Sequence, residues 1–144
     1  MLLSRKCVYG LRAILYVARK GSDTYVPISE ISKKLKISFH FLTKILQILT
    51  RHKIMKSYRG PNGGVTLARP AGKITILKII RLIDGDHTFQ QCVLGLPHCS
   101  DKNPCPLHHK WADVSRTLQN VFDDMTVKDL AVNIKELNLR LTDG

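Results

Sequence analysis

A chain of 144 residues, 44% of them hydrophobic, has room for one domain with a real core, or for a small head with a helical extension. No apolar run reaches the length of a membrane span, and charge interrupts the opening Met1-Leu-Leu-Ser-Arg-Lys6 too early for a signal peptide. The chain is therefore expected in the cytoplasm, with no membrane partner. Its 23 Lys and Arg against 11 Asp and Glu leave a formal charge of +12, most of it before residue 82, which suits a head that docks on phosphates and a tail with another task.

The first predicted element is an amphipathic helix from about Ser4 to Lys20, with Cys7, Leu11, Ile14, Leu15 and Ala18 at helical spacing. Gly21 stops it. Pro27 opens a second, short helix with Ile28, Ile31 and Leu35 on one face, and Lys36 and Ile37 make a tight connection. Ser38 can cap a third helix running to about His52, with Phe39, Leu42, Ile45, Leu46 and Leu49 turned inward. Two helices joined by so short a turn form a helix-turn-helix, in which the second helix enters the major groove of DNA.

Ile54 to Arg59 and Val65 to Arg69 read as two strands around Gly60-Pro-Asn-Gly-Gly64, whose glycines and asparagine tolerate the positive φ angles of a hairpin. Three helices and a hairpin in this order make a winged helix. Another helix follows from Lys73 to Asp84, with Ile76, Ile79, Ile80 and Ile83 inward. Residues 85 to 105 then lose periodicity, and a loop this long in a small domain is usually functional or disordered.

Three of the four cysteines lie in that loop: Cys92, Cys99 and Cys105. Thiolates gathered in a loop favour iron-sulfur clusters, zinc or copper(I), and in a reducing compartment such a group is more often a metal or redox site than a disulfide framework. Gaps of six and five residues suit a multi-iron cluster better than a single zinc, which often uses paired Cys-x-x-Cys knuckles. Pro106 is expected to begin the next helix, placing Cys105 at a helix N-terminus where free N–H groups favour a thiolate.

In that last long helix Leu107, Trp111, Val114, Leu118, Val121 and Met125 repeat as a heptad seam, which packs along a partner helix, most simply its twin in a homodimer, or else on its own domain. Thr126 and Asp129 fit a capping box opening a final helix, Val127 to Leu139.

The opening Leu3-Ser-Arg-Lys-Cys-Val-Tyr-Gly-Leu-Arg-Ala13, the entry Ile37-Ser-Phe-His-Phe-Leu42, the wing Arg59-Gly-Pro-Asn-Gly-Gly64 and the three-cysteine loop together resemble the Rrf family of bacterial transcription regulators, over residues 1 to about 139. The resemblance implies a dimeric winged-helix repressor or activator whose long helices cross at the dimer interface and whose loop holds a [2Fe-2S] or [4Fe-4S] cluster. Cluster-binding members usually have five residues in each gap, and a loop can absorb the one extra residue here.

Three cysteines leave a fourth ligand to find. His108 lies three residues beyond Cys105, on the same face of the first helical turn, and matches the histidine ligand of one branch of the family. Cys7 is its rival, because it sits beside a first-helix position from which other members supply a carboxylate; a lone cysteine on an apolar face is otherwise a small core residue. His109, His98 or an exogenous ligand are further candidates. For DNA, His40, Thr43, Lys44 and Gln47 fall outside the apolar stripe of the third helix and match contact positions of the family, while Arg59 at the base of the hairpin can enter a narrow minor groove.

The expected fold is thus mainly α with a small β-hairpin: a winged helix-turn-helix over residues 1–84, a cysteine-rich cluster-binding loop over 85–105, and dimerisation helices over 106–144. The expected function is a dimeric regulator that binds a double-stranded DNA operator and senses iron-sulfur status, redox state or nitric oxide. Its rivals are a regulator of the same fold using thiol oxidation or a small ligand, and an iron-sulfur electron-transfer protein. No nucleophile-base pairing, phosphate loop or paired carboxylate motif points to an enzyme.

Overall fold

A computed structural model describes residues 2–142. Six α-helices and one two-stranded antiparallel sheet are described: α1 (Arg5–Arg19), α2 (Ile28–Leu35), α3 (Phe39–Arg51), β1 (Met55–Tyr58), β2 (Gly64–Leu67), α4 (Ile76–Asp84), α5 (His108–Asp124) and α6 (Val127–Glu136), with single 3-10 turns at Ala71–Lys73 and Asp86–Phe89. This is a winged helix-turn-helix followed by a long helix and a short one. No helix among the described residues is long and apolar enough to cross a membrane.

Helix α1 is the central post. Ser4 caps it by accepting from the backbone N–H of Cys7, and Gly21, at φ 103°, ends it. Cys7, Ala13, Ile14, Tyr16 and Val17 form its buried face, which packs on α2, α3, α4, α6 and β2. Gly10 permits the closest of these approaches: a Cβ there would lie 2.6 Å from Cδ1 of Ile83 and 3.1 Å from Cγ2 of Ile45. The absence of a side chain thus brings α1, α3 and α4 together.

The turn of the helix-turn-helix is built locally. Lys36 takes the left-handed conformation (φ 55°, ψ 46°), and the Ser32 hydroxyl donates to the carbonyl of Ile37 at 2.6 Å while the side chain of Ile37 is buried. Ser38 then caps α3 by accepting from Phe41 N–H, and Leu42, Ile45, Leu46 and Leu49 are buried. Phe39 differs from the expectation: it is 54% exposed. As the first residue after the cap its Cβ tilts toward the helix N-terminus, which leaves the ring half in solvent.

In the wing, Met55 pairs with Leu67 and Tyr58 with Gly64. Val26 joins the outer edge by exchanging two backbone hydrogen bonds with Val65, at 2.8 and 2.9 Å. That approach requires Gly64, where a Cβ would stand 2.2 Å from the carbonyl oxygen of Val26.

Helix α4 begins at Ile76 rather than Lys73. Thr75 caps it with its hydroxyl, and the extended Ile74–Thr75 segment pairs with the α5–α6 junction, Ile76 N–H donating to Met125 O and Val127 N–H to Ile74 O, both at 2.9 Å. Helix α6 opens on the capping box of Thr126 and Asp129, packs on α1 through buried Val127, Ala131 and Ile134, and ends at Glu136, three residues before the expected Leu139. Asn138 turns the chain there, at φ 51°.

Helix α5 is the exposed element. Only Ser115 on it is fully buried, and the seam divides: Trp111, Leu118 and Met125 are half-buried against the chain's own body, while Leu107, Val114 and Val121 are 44%, 51% and 46% exposed.

Candidate nucleic-acid interface and metal centre

An open cleft of about 960 Å³ lies between α3 and the wing. Thr43 and Gln47 of α3 face Arg59 across it, and the structure adds Phe39, Thr50 and Tyr58, none of which sequence patterning marked as a contact. Tyr58, at the end of β1, packs on Tyr25 with ring centroids 5.8 Å apart. His40 and Lys44 are exposed on α3 but do not line the cleft. The Thr43 hydroxyl donates back to the carbonyl of Phe39 at 2.8 Å. Phe41 turns the other way, edge-on to Tyr9 at 5.7 Å, and belongs to the packing. The helix edge and the hairpin thus present amide, guanidinium and aromatic groups to one open cleft, group types that can hydrogen-bond or stack on bases.

The second site is built by the loop. Cys92, Cys99 and Cys105 bring their Sγ atoms within 4.8 Å of one another, and Cys92 Sγ to Cys105 Sγ is 3.5 Å. Two anchors on α5 hold the loop in this shape: Trp111 Nε1–H donates to Gln91 O at 2.9 Å, and the Ser115 hydroxyl donates to Phe89 O. A tight turn with two backbone hydrogen bonds between Ser100 and Asn103 sets the path from Cys99 to Cys105. The thiols open on a pocket of about 390 Å³ whose far wall is α5.

His108 stands on the rim, at the first residue of α5. Its Nδ1 lies 3.2 Å from Cys99 Sγ and its Nε2 lies 2.9 Å from Asp101 Oδ1. The His109 ring packs edge-on against it at 5.2 Å, and His98 is exposed with φ 57°. Cys7 is elsewhere: it is fully buried in the core, is not among the grouped thiols, and its own thiol is pushed up to about 12, by burial first and then by the Asp84 carboxylate.

The loop thiols are not equivalent. Backbone N–H of Leu96 hydrogen-bonds Cys92 and lowers its thiol to about 7, with a smaller push from Leu94. Cys105 moves the other way, because burial raises it. Helix α5 starts at His108 and not at Pro106, so Cys105 lies outside the first turn, where the expected preference for a thiolate is weaker. In metal-free protein, Cys92 should therefore be alkylated first by iodoacetamide, at a rate rising with pH through about 7, with Cys7 protected well beyond that. Peptide mapping that found Cys7 labelled before Cys92 would contradict the assignment.

Three converging sulfurs with an imidazole at the rim and a pocket beside them form a soft donor set, suited to an iron-sulfur group and also able to take zinc. The residues present fit such a group.

Comparison with known proteins identifies the family of this fold. Residues 3–133 match the Rrf2 family, described as an iron-dependent transcriptional regulator. A protein of Aquifex aeolicus (strain VF5) carrying the general name of an HTH-type transcriptional regulator is 39% identical over 142 residues, covering 96% of each chain. The HTH-type transcriptional regulator NsrR of Oceanobacillus iheyensis is 31% identical over 138 residues, covering 95% of this chain and 94% of NsrR. Among solved structures, CymR, the global cysteine regulator of B. subtilis, superposes with a TM-score of 0.75 at 26% identity, over 90% of this chain and 95% of CymR. With the winged helix, the α3–wing cleft and a family match over most of its length, the chain belongs to the Rrf2 family of transcriptional regulators.

Proposed function

We propose that this regulator is a cytoplasmic homodimer that binds a double-stranded DNA operator and adjusts its affinity through an iron-sulfur cluster, [2Fe-2S] or [4Fe-4S], held by Cys92, Cys99 and Cys105 with His108 as fourth ligand. The convergence of the three Sγ atoms within 4.8 Å carries the reading. When bound, such a cluster supplies sensitivity to redox state, nitric oxide and iron supply.

In this reading residues 1–84 are the DNA-binding head, with His40, Thr43, Lys44, Gln47 and Arg59 as its contacts; 85–105 is the sensing loop; and 106–144 pairs two copies, with α5 presenting the surface. The chain's own bonds supply a route between loop and head. Trp111 and Ser115 tie the loop to α5. At the other end the loop leaves α4 beside Asp84, whose carboxylate accepts from the Ser4 backbone N–H at 2.9 Å and from the Ser4 hydroxyl at the start of α1. Ordering the loop therefore bears on both the pairing helix and the central post, and a bias between two arrangements of the paired heads shifts the operator-competent population.

The deciding experiment is iron, zinc and acid-labile sulfide per chain on protein purified without oxygen, together with its visible spectrum. Iron with matching sulfide is expected. Zinc alone, or no metal, would overturn the cluster and favour a structural site or a second reading, a thiol switch, which the 3.5 Å separation of Cys92 and Cys105 supports. There hydrogen peroxide would take both thiol protons and two electrons, forming one S–S bond and releasing two molecules of water.

A further inference from the structure

His108 is the one proposed ligand that does not come from a thiol, and a neutral imidazole has a lone pair on only one of its two nitrogens. Which nitrogen faces the thiols is decided by what the other one bonds. Here Nε2 lies 2.9 Å from Asp101 Oδ1, and an ionised carboxylate only accepts, so the Nε2 position must carry the hydrogen. The lone pair is then left on Nδ1, the nitrogen 3.2 Å from Cys99 Sγ.

The placement of Asp101 is equally constrained. It follows Ser100 in the tight turn closed by Asn103 N–H donating to Ser100 O at 3.0 Å, between the second and third cysteines. The His108 side chain is only 16% exposed and that of Asp101 is 92% exposed, so the carboxylate caps the ring from the solvent side while the thiols hold its inner edge.

We propose that Asp101 is a positioning residue for the cluster: through Nε2–H of His108 it fixes the ring orientation that presents Nδ1 to the site of Cys92, Cys99 and Cys105. The proposal rests on the ligand reading above. An outer carboxylate of this kind orients the ring and raises its basicity as a ligand, and removal of such a partner typically weakens metal retention about 10- to 100-fold.

The test compares wild type, Asp101→Ala and Asp101→Asn, each labelled with histidine carrying ¹⁵N at Nδ1 only. In the reduced, cluster-loaded proteins, pulsed EPR should show coupling to labelled Nδ1 in wild type. Asp101→Ala should lose it or mix it with coupling from Nε2, with a more positive midpoint potential and iron released to a chelator about 10- to 100-fold more readily. Asp101→Asn, whose amide oxygen still accepts a hydrogen bond, should restore the Nδ1 coupling. In metal-free protein with uniformly labelled histidine, the His108 Nε2–H signal should be protected from exchange in wild type and Asp101→Asn and unprotected in Asp101→Ala, a readout that needs no cluster.

Unchanged coupling, potential and exchange in Asp101→Ala would overturn the positioning role alone. Asp101→Asn losing iron as fully as Asp101→Ala, with Nδ1 coupling intact in both, would make Asp101 a ligand and overturn it too. A wild-type cluster without any histidine coupling, or no cluster, would overturn the ligand reading and this proposal with it.

Discussion

Replacing Val114 and Val121 together with glutamate is expected to leave a folded monomer whose operator affinity is at least about 100-fold below that of the parent. The two residues stand seven apart on α5 with Leu107 seven before them, and all three are exposed. Seven residues fall about 20° short of two full turns, so a row at this spacing stays in register with a second helix that wraps gently along it. Two half-sites bound by linked heads gain roughly 10²- to 10⁴-fold over independent binding, and a monomer forfeits that gain.

The choice of residues matters, because Leu118 of the same seam packs partly against the chain's own core, and a charge there would damage the fold as well as any pairing. Within one subunit the substitutions at exposed Val114 and Val121 should cost little, on the order of 0.5 kcal/mol each, so any larger fall in thermal stability should be that of losing the partner and should depend on protein concentration. Sedimentation velocity and an operator gel shift read the two effects separately. A double variant that still sediments as a dimer would place the contact between copies elsewhere.

Arg59→Ala should weaken specific binding by roughly 1–3 kcal/mol while the fold survives. Arg59 is exposed, follows β1 directly and lines the cleft opposite Gln47, so its loss removes a guanidinium from the groove-facing side without opening the core. The wing beneath it is held by Tyr25 on Tyr58 and by the Val26–Val65 backbone pair, neither of which involves the arginine. The measurement is a titration against a selected operator and a scrambled duplex at the same salt. Equal losses on both would reduce Arg59 to a phosphate contact, and unchanged affinity would remove it from the interface.

Much of the fold was legible because its signals are local. Ser38 and the Thr126–Asp129 pair mark helix starts through hydroxyl and carboxylate caps that depend on residues only three away, and the structure has both. Where a start depended on a distant segment, the pattern failed: α4 begins late because Ile74 and Thr75 pair with the α5–α6 junction, some fifty residues on. The late start of α5 at His108 has a local cause instead, the turn of Pro106 and Leu107 closed by His108 N–H donating to Cys105 O.

The sequence by itself determined the order of elements, the helix-turn-helix with its wing, and the three thiols of one loop, because apolar periodicity, caps, glycines and cysteine spacing act over a few residues. The tertiary structure decided which groups meet. It sent Cys7 into the core beside Asp84, because α1 is enclosed on nearly every side. It left Phe39 half-exposed in the cleft between α3 and the wing. It divided the α5 seam into a half-buried and an exposed row, and it seated His108 between Cys99 and Asp101. Each of these turns on the burial or approach of groups from separate segments, which spacing along one segment does not encode.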